Sequence, residues 1–170
     1  MPLARLQRLQ YLSKSQTKQT MKKPTIRITK EFKFEMAHAL KGYDGPCKNI
    51  HGHSYELLVT VSGKPIDDID NPKLGMVMDF GDLKAIVRSV VVDIFDHALV
   101  LNSSMDVNLI VKLSDSFDKV ILLDYQPTSE LMIADFAQRI GEKLPSNIEL
   151  KYLLLRETVT SYAEWYADEN

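Results

Sequence analysis

Cysteine is almost missing from this chain: Cys47 is the only one in 170 residues. A lone thiol cannot close an internal disulfide, so a reducing, cytoplasmic setting is expected. No apolar run approaches the roughly 20 residues that a membrane helix needs. Basic excess is lacking too. Lysine and arginine number 21 against 23 aspartates and glutamates, for a net charge of −2, which gives no reason to expect a nucleic-acid or membrane partner. Internal repeats and low-complexity tracts are absent, which argues against solenoids and fibres. What remains is ordinary for a globular domain, with 45% apolar and 26% charged residues. A chain of this length can bury a proper core, since roughly two-thirds of its unfolded surface is lost on folding.

The first 22 residues stand apart. Met1–Thr20 is basic, rich in Gln and Ser, and free of acidic residues. It lacks the apolar centre of a secretory signal. Arg5 and Arg8 with Leu3, Leu6 and Leu9 would suit a mitochondrial-type presequence, but the composition reads more simply as a disordered extension. Met21-Lys22-Lys23 resembles a second start. Residues 23–170 are expected to form one domain.

From Ile26 to His38 the even positions are mostly apolar and the odd ones mostly polar, the period of a half-buried strand. His38 falls on the apolar face. From His51 the odd positions read His51, His53, Tyr55, Leu57, Val59, Val61, a second strand with both histidines on one face. Gly63, Pro65 and residues 67–72 mark a turn region, and a short strand is expected over Met76–Met78. Asp79 suits a helix N-cap, with Phe80, Leu83, Val87, Val90, Val91, Ile94 and Phe95 at helical spacing after it. Residues 102–119 read as a loop with room for a short helical turn, and Val120–Leu123 as a short strand. Thr128 caps a second helix whose stripe is Leu131, Ala134, Ala137 and Ile140, and Pro145 ends it. Ile148–Glu157 and Tyr162–Tyr166 complete the strands. Strand runs set apart from helix runs predict an α+β fold, an antiparallel β-sheet with two helices on one face.

The chemistry concentrates around "PCKNIHGHSYEL". His51 and His53 point one way from their strand. If the two strands pair as a hairpin, His38 joins them. Three imidazoles with an open fourth position form the ligand pattern of catalytic zinc, and imidazole suits zinc better than magnesium. Cys47, on a loop before the strand, has three readings that spacing alone does not separate: fourth ligand of a closed structural site, base or nucleophile, and apolar filler. His97 follows Asp96 at the end of the first helix, as a cation at a helix C-terminus or as half of a proton-transfer pair. Glu157 ends an apolar strand in phase with Leu153 and Leu155, where a carboxylate needs a partner or a ligand.

Taken together, "FEMAHAL", "CKNIHGHSYEL", "GMVMDFGDLK", "DHALVLN", "PTSE" and "RETVTSYAEW" resemble the 6-pyruvoyl-tetrahydropterin synthase family. Within it they resemble the bacterial 6-carboxy-tetrahydropterin synthase branch of queuosine biosynthesis. The likeness runs from Phe32 to Trp165. It implies zinc at His38, His51 and His53, with Cys47 as catalytic base and Asp96 and His97 as its proton relay. Glu157 would anchor the pterin ring, and Thr128 and Ser129 would line its pocket. The implied fold is the tunnelling fold, assembled as a homohexamer with active sites between subunits. The implied reaction converts 7,8-dihydroneopterin triphosphate to 6-carboxytetrahydropterin, acetaldehyde and triphosphate. The pyruvoyl synthase reaction, triphosphate elimination without side-chain cleavage, is the alternative. The short Cys47-to-His51 spacing resembles the carboxy branch, and the lack of Glu between Lys41 and Asn49 argues against a folate-making branch. Two departures stand out: residues 102–125 are longer than the branch leads one to expect, and Thr158-Val159-Thr160 lacks a cysteine frequent there.

Two rivals come from other classes. A cupin-type oxygenase shares a His-x-His followed by Glu, but Glu56 points away from His53 by parity and no second cupin motif follows. A non-catalytic zinc module would use Cys47 as the fourth ligand.

Overall fold

The computed structural model describes residues 23–170; the expected N-terminal extension, residues 1–22, lies outside the described residues. Two long strands organise the domain. Strands β1 (Ile26–Ala39) and β2 (His51–Gly63) pair antiparallel along their whole length. Their register sets Phe34 opposite Tyr55, Met36 opposite His53 and His38 opposite His51. Because side chains alternate across a strand, this register puts the apolar positions of both strands on one face.

Beyond Gly63 the chain turns through residues 64–78. The strand expected at Met76–Met78 does not form. Only two backbone bonds bridge the two ends of this region, Ile66 N to the Met76 carbonyl and Gly75 N to the Ile66 carbonyl, too few for a ladder. Asp79 then caps helix α1 (Phe80–Val87), its Oδ1 accepting from Gly81 N at 2.6 Å. The helix continues through a π-turn (Arg88–Val92) into a last turn, Asp93–Phe95. The wider turn re-phases the apolar side, so that Val91, Val92 and Phe95 are buried along with Leu83 and Val87. Phe80, half exposed, is not part of the stripe.

The chain re-enters the sheet as β3 (Ala98–Asn102), parallel to β1, and then forms helix α2 (Val107–Ser116) and strand β4 (Val120–Leu123), parallel to β3. Helix α3 (Ser129–Gly141) is followed by β5 (Glu149–Thr158) and β6 (Ser161–Tyr166), which extend the sheet antiparallel beyond β2. The strand order is β4-β3-β1-β2-β5-β6. The α+β class is as expected, but the sheet is mixed rather than wholly antiparallel, and a third helix is present. The segment read as a loop contains α2, capped by Asp106, whose side chain accepts from Leu109 N.

Helices α1 and α3 cover the main face of the sheet. Phe136 of α3 meets Phe95 at a ring separation of 5.0 Å and Phe34 of β1 at 6.3 Å. The buried positions of α3 are Ser129, Met132, Ile133, Phe136, Ala137 and Ile140; Ala137 and Ile140 are buried as expected, whereas Leu131 and Ala134 are exposed and Met132, Ile133 and Phe136 take their place in the stripe. Helix α2 belongs to the other face, where Leu113 packs with Ala39, Leu99 and Leu101 in a separate small cluster. No helix among the described residues is long and apolar enough to cross a membrane.

Candidate metal centre

The last rung of the β1–β2 ladder is His38 opposite His51, and His53 sits one alternation back on the same face. This brings the three imidazoles together as expected. One ligand atom from each lies within 4.8 Å of the other two. His38 is 2% exposed, while His51 and His53 are half-buried. His38 Nδ1 donates to the Pro127 carbonyl at 2.7 Å, and His51 Nδ1 donates to the Asn49 carbonyl at 2.9 Å. Each backbone acceptor fixes a tautomer. Both Nε2 atoms then present lone pairs, and they face each other at 3.1 Å. Two lone pairs at that distance repel unless a proton or a cation lies between them. Burial pushes the His38 pKa below its ordinary value, and burial does the same for His53, so neutral rings that want a cation are favoured. The donor set therefore fits zinc, which takes neutral imidazole nitrogens.

Glu157 stands beside the cluster. Its Oε1 is 3.5 Å from His38 Nε2 and 3.7 Å from His53 Nε2. With neutral imidazoles these approaches are not ion pairs. The β5–β6 register slips between Arg156 and Thr158, so Glu157 falls at an irregularity of the ladder, a device that re-aims a side chain. The same oxygen accepts from the Tyr55 hydroxyl at 3.1 Å. Burial first, and the Glu157 carboxylate second, push the Tyr55 phenol far above its usual range, which keeps it a donor.

Cys47 lies in a short 3-10 turn, Pro46–Lys48. Its carbonyl accepts from Leu40 N at 2.9 Å, which folds the turn back on the end of β1 two residues beyond His38. The free, partly buried thiol does not join the group of mutually close ligand atoms. Thr128 caps α3, its Oγ1 accepting from Leu131 N. The next hydroxyl, of Ser129, is buried and has no hydrogen-bond partner among the described residues, an arrangement that needs an explanation in a native protein. Pro127, just before the pair, is the residue whose carbonyl holds His38, so "PTSE" abuts the cluster.

Asp96 and His97 go elsewhere. Asp96 Oδ1 accepts from Glu35 N at 3.0 Å, and that bond holds its carboxyl below the ordinary range, with the His97 ring adding to the effect from 3.0 Å. The His97 side chain is 78% exposed. The pair thus sits three positions back along β1 from His38, and no hydrogen bond or ion pair joins it to the cluster among the described residues. A groove of about 680 Å³ runs along this flank, with His97, Glu35, Phe117, Lys119 and His53 among its lining residues. Glu56 pairs with Lys33 and Arg156, away from the histidines, as parity requires.

The sequence pattern of 6-pyruvoyl tetrahydropterin synthase matches residues 27–168. The chain belongs to the 6-pyruvoyl tetrahydropterin synthase family. It is 35% identical over 145 residues to the 6-carboxy-5,6,7,8-tetrahydropterin synthase of Haemophilus influenzae, covering 82% of this chain and 98% of that one. It is 33% identical over 120 residues to the protein of the same name from Rickettsia bellii, covering 70% and 83%. Among solved structures, the 6-pyruvoyl tetrahydropterin synthase of Caenorhabditis elegans superposes with a TM-score of 0.58 at 25% identity, covering 85% of this chain and 96% of that one. The fold is the tunnelling fold of this synthase family, and the chain is an enzyme of it. Sequence reading of the family motifs missed three groups that frame the histidine cluster: the Asn49 and Pro127 carbonyls and the Tyr55 hydroxyl. Backbone carbonyls leave no trace in a sequence. Tyr55 did leave one, as the next residue after His53 on the same strand face.

Proposed function

We propose that this protein is a zinc-dependent 6-carboxy-5,6,7,8-tetrahydropterin synthase, acting on 7,8-dihydroneopterin triphosphate in queuosine biosynthesis. The observation that carries the reading is the facing pair of Nε2 lone pairs on His38 and His51, with His53 beside them and Glu157 at the rim. Support for the carboxy product comes from the names of the two relatives above and from the Cys47-to-His51 spacing. His38, His51 and His53 would hold the metal. When bound, zinc supplies Lewis acidity, which makes the positions next to side-chain hydroxyls easier to deprotonate.

The chain's own residues do the rest. Glu157 accepts hydrogen bonds from the amino and ring nitrogens of the pterin and so aligns the side chain with the cluster. Thr128 and Ser129 border the same space, and the partnerless Ser129 hydroxyl is available to the substrate. Cys47, in its turn at the end of β1, takes a proton from the side chain as thiolate. His97, oriented by Asp96, returns one. One water is then taken up: carbon–carbon scission leaves the ring-attached carbon as the carboxyl, its second oxygen coming from that water, and releases the other two carbons as acetaldehyde, with triphosphate leaving. Since Asp96 and His97 do not meet the cluster of their own chain, they serve Cys47 of a neighbouring subunit. The open edges of the sheet at β4 and β6 suit such self-association, and a homohexamer is the assembly proposed.

The decisive experiment incubates purified protein with 7,8-dihydroneopterin triphosphate. Acetaldehyde in step with a carboxy-pterin is expected. A pyruvoyl-pterin without acetaldehyde would overturn the assignment and leave only the pyruvoyl synthase reaction. Metal analysis tests the cofactor: about one zinc per chain, and most of it lost in His51→Ala, because two imidazoles hold zinc far more weakly than three.

A further inference from the structure

We infer that the Tyr55 hydroxyl is a positioning group, tethering Glu157 beside the histidine cluster while keeping it off the metal. The inference rests on the zinc and pterin-anchor readings above. Zinc bonds of about 2.0–2.2 Å in a tetrahedron set neighbouring donor atoms about 3.4 Å apart. Glu157 Oε1 lies 3.5 Å and 3.7 Å from two of the ligand nitrogens. It is therefore close to the spacing of a fourth ligand, yet the group of mutually close ligand atoms comprises the three histidines alone. A carboxylate that completed the tetrahedron would close the position a substrate needs.

What holds it is visible. Tyr55 is fully buried, stacked on Phe34 with ring centroids 5.2 Å apart and planes 10° from parallel. It stands edge-on to His53 at 5.7 Å and to His38 at 6.4 Å. The ring has no room to swing, so its hydroxyl is a fixed donor. It is spent on the one oxygen of Glu157 that approaches the histidines. Removing the hydroxyl frees that oxygen and leaves the ring stack in place.

The test compares wild type, Tyr55→Phe, Glu157→Gln and the double variant. Zinc affinity is read by chelator competition, and coordination by the visible spectrum of the cobalt-loaded protein. Steady-state kinetics are measured with 7,8-dihydroneopterin triphosphate. Loss of an ordinary outer-shell partner weakens metal binding by about 10–100-fold. The tether predicts the opposite sign. Tyr55→Phe binds zinc more tightly, by about tenfold, its cobalt spectrum changes, and KM rises more than kcat falls. The double variant returns affinity and spectrum to those of Glu157→Gln alone. Unchanged or weaker zinc binding with an unaltered cobalt spectrum in Tyr55→Phe would overturn the proposal. A wild-type chain that takes up no zinc overturns the tether and the metal reading together. An unchanged KM in Glu157→Gln, with zinc still tighter in Tyr55→Phe, removes the anchor reading and leaves the tether standing.

Discussion

Cys47 is separated from the three clustered histidines by chemistry as well as by distance. Both Nδ1 positions of the innermost histidines are occupied by carbonyls, so the rings aim their Nε2 atoms at a common point that the thiol does not share. This favours the base over the fourth ligand, two roles that spacing had left level. The consequence can be measured. Cys47→Ser should keep zinc near the wild-type content and lose most turnover, since a serine hydroxyl is a far poorer base than a thiolate near neutral pH. Metal content and initial rate on the same preparation decide it. Zinc lost along with activity would restore the closed structural site.

At the level of elements, Phe136 joins three of them. It lies on α3, touches Phe95 at the end of the first helix and Phe34 on β1, and is fully buried. Phe136→Ala should cost about 3–5 kcal/mol, as large aromatic truncations in cores do. An unfolding free energy from urea titration lowered by less than a quarter of that amount would show that the helices repack. The same elements show what could be read in advance. β1, β2 and β5 were legible because one face of each is apolar or carries the histidines, and Thr128 announced α3 because a cap has its own side-chain chemistry. β3 was not legible. All five of its residues are buried, one side under α1 and the other under α2, so alternation never appears. Helix α2 was missed although its apolar residues, Val107, Ile110 and Val111 among them, do recur at helical spacing: none of them is fully buried, and Asn108, Ser114, Asp115 and Ser116 between and after them read as loop. The site was legible as residue types on strand faces. Its hydrogen-bonded frame was not, because register and backbone carbonyls place it.

For the whole molecule, the question is where a complete site lies. Cys47 and the cluster are at one place on the chain, Asp96 and His97 at another. If two copies complete each site, Cys47→Ser and His97→Ala should both be inactive alone and active when mixed. His97→Ala alone should slow turnover by about a hundredfold or more, typical for an acid–base group. Unfolding the two variants together, refolding them and assaying should recover about a quarter of wild-type sites on random assembly. No recovery, with intact oligomers on a sizing column, would place the whole site within one chain.

His97 is also the only residue other than glycine with a positive φ among the described residues, at 59°. Its N–H is committed to the Glu35 carbonyl at 2.6 Å, so the conformation is enforced by the junction between the first helix and β3. Left-handed backbone costs an L-residue roughly 1 kcal/mol that glycine avoids. A library randomised at this position and sorted only for heat resistance should therefore drift towards glycine. Sorted for turnover, it should return to histidine. The two winners would differ in melting temperature and rate in opposite directions, marking this one position as a place where durability and activity are selected against each other.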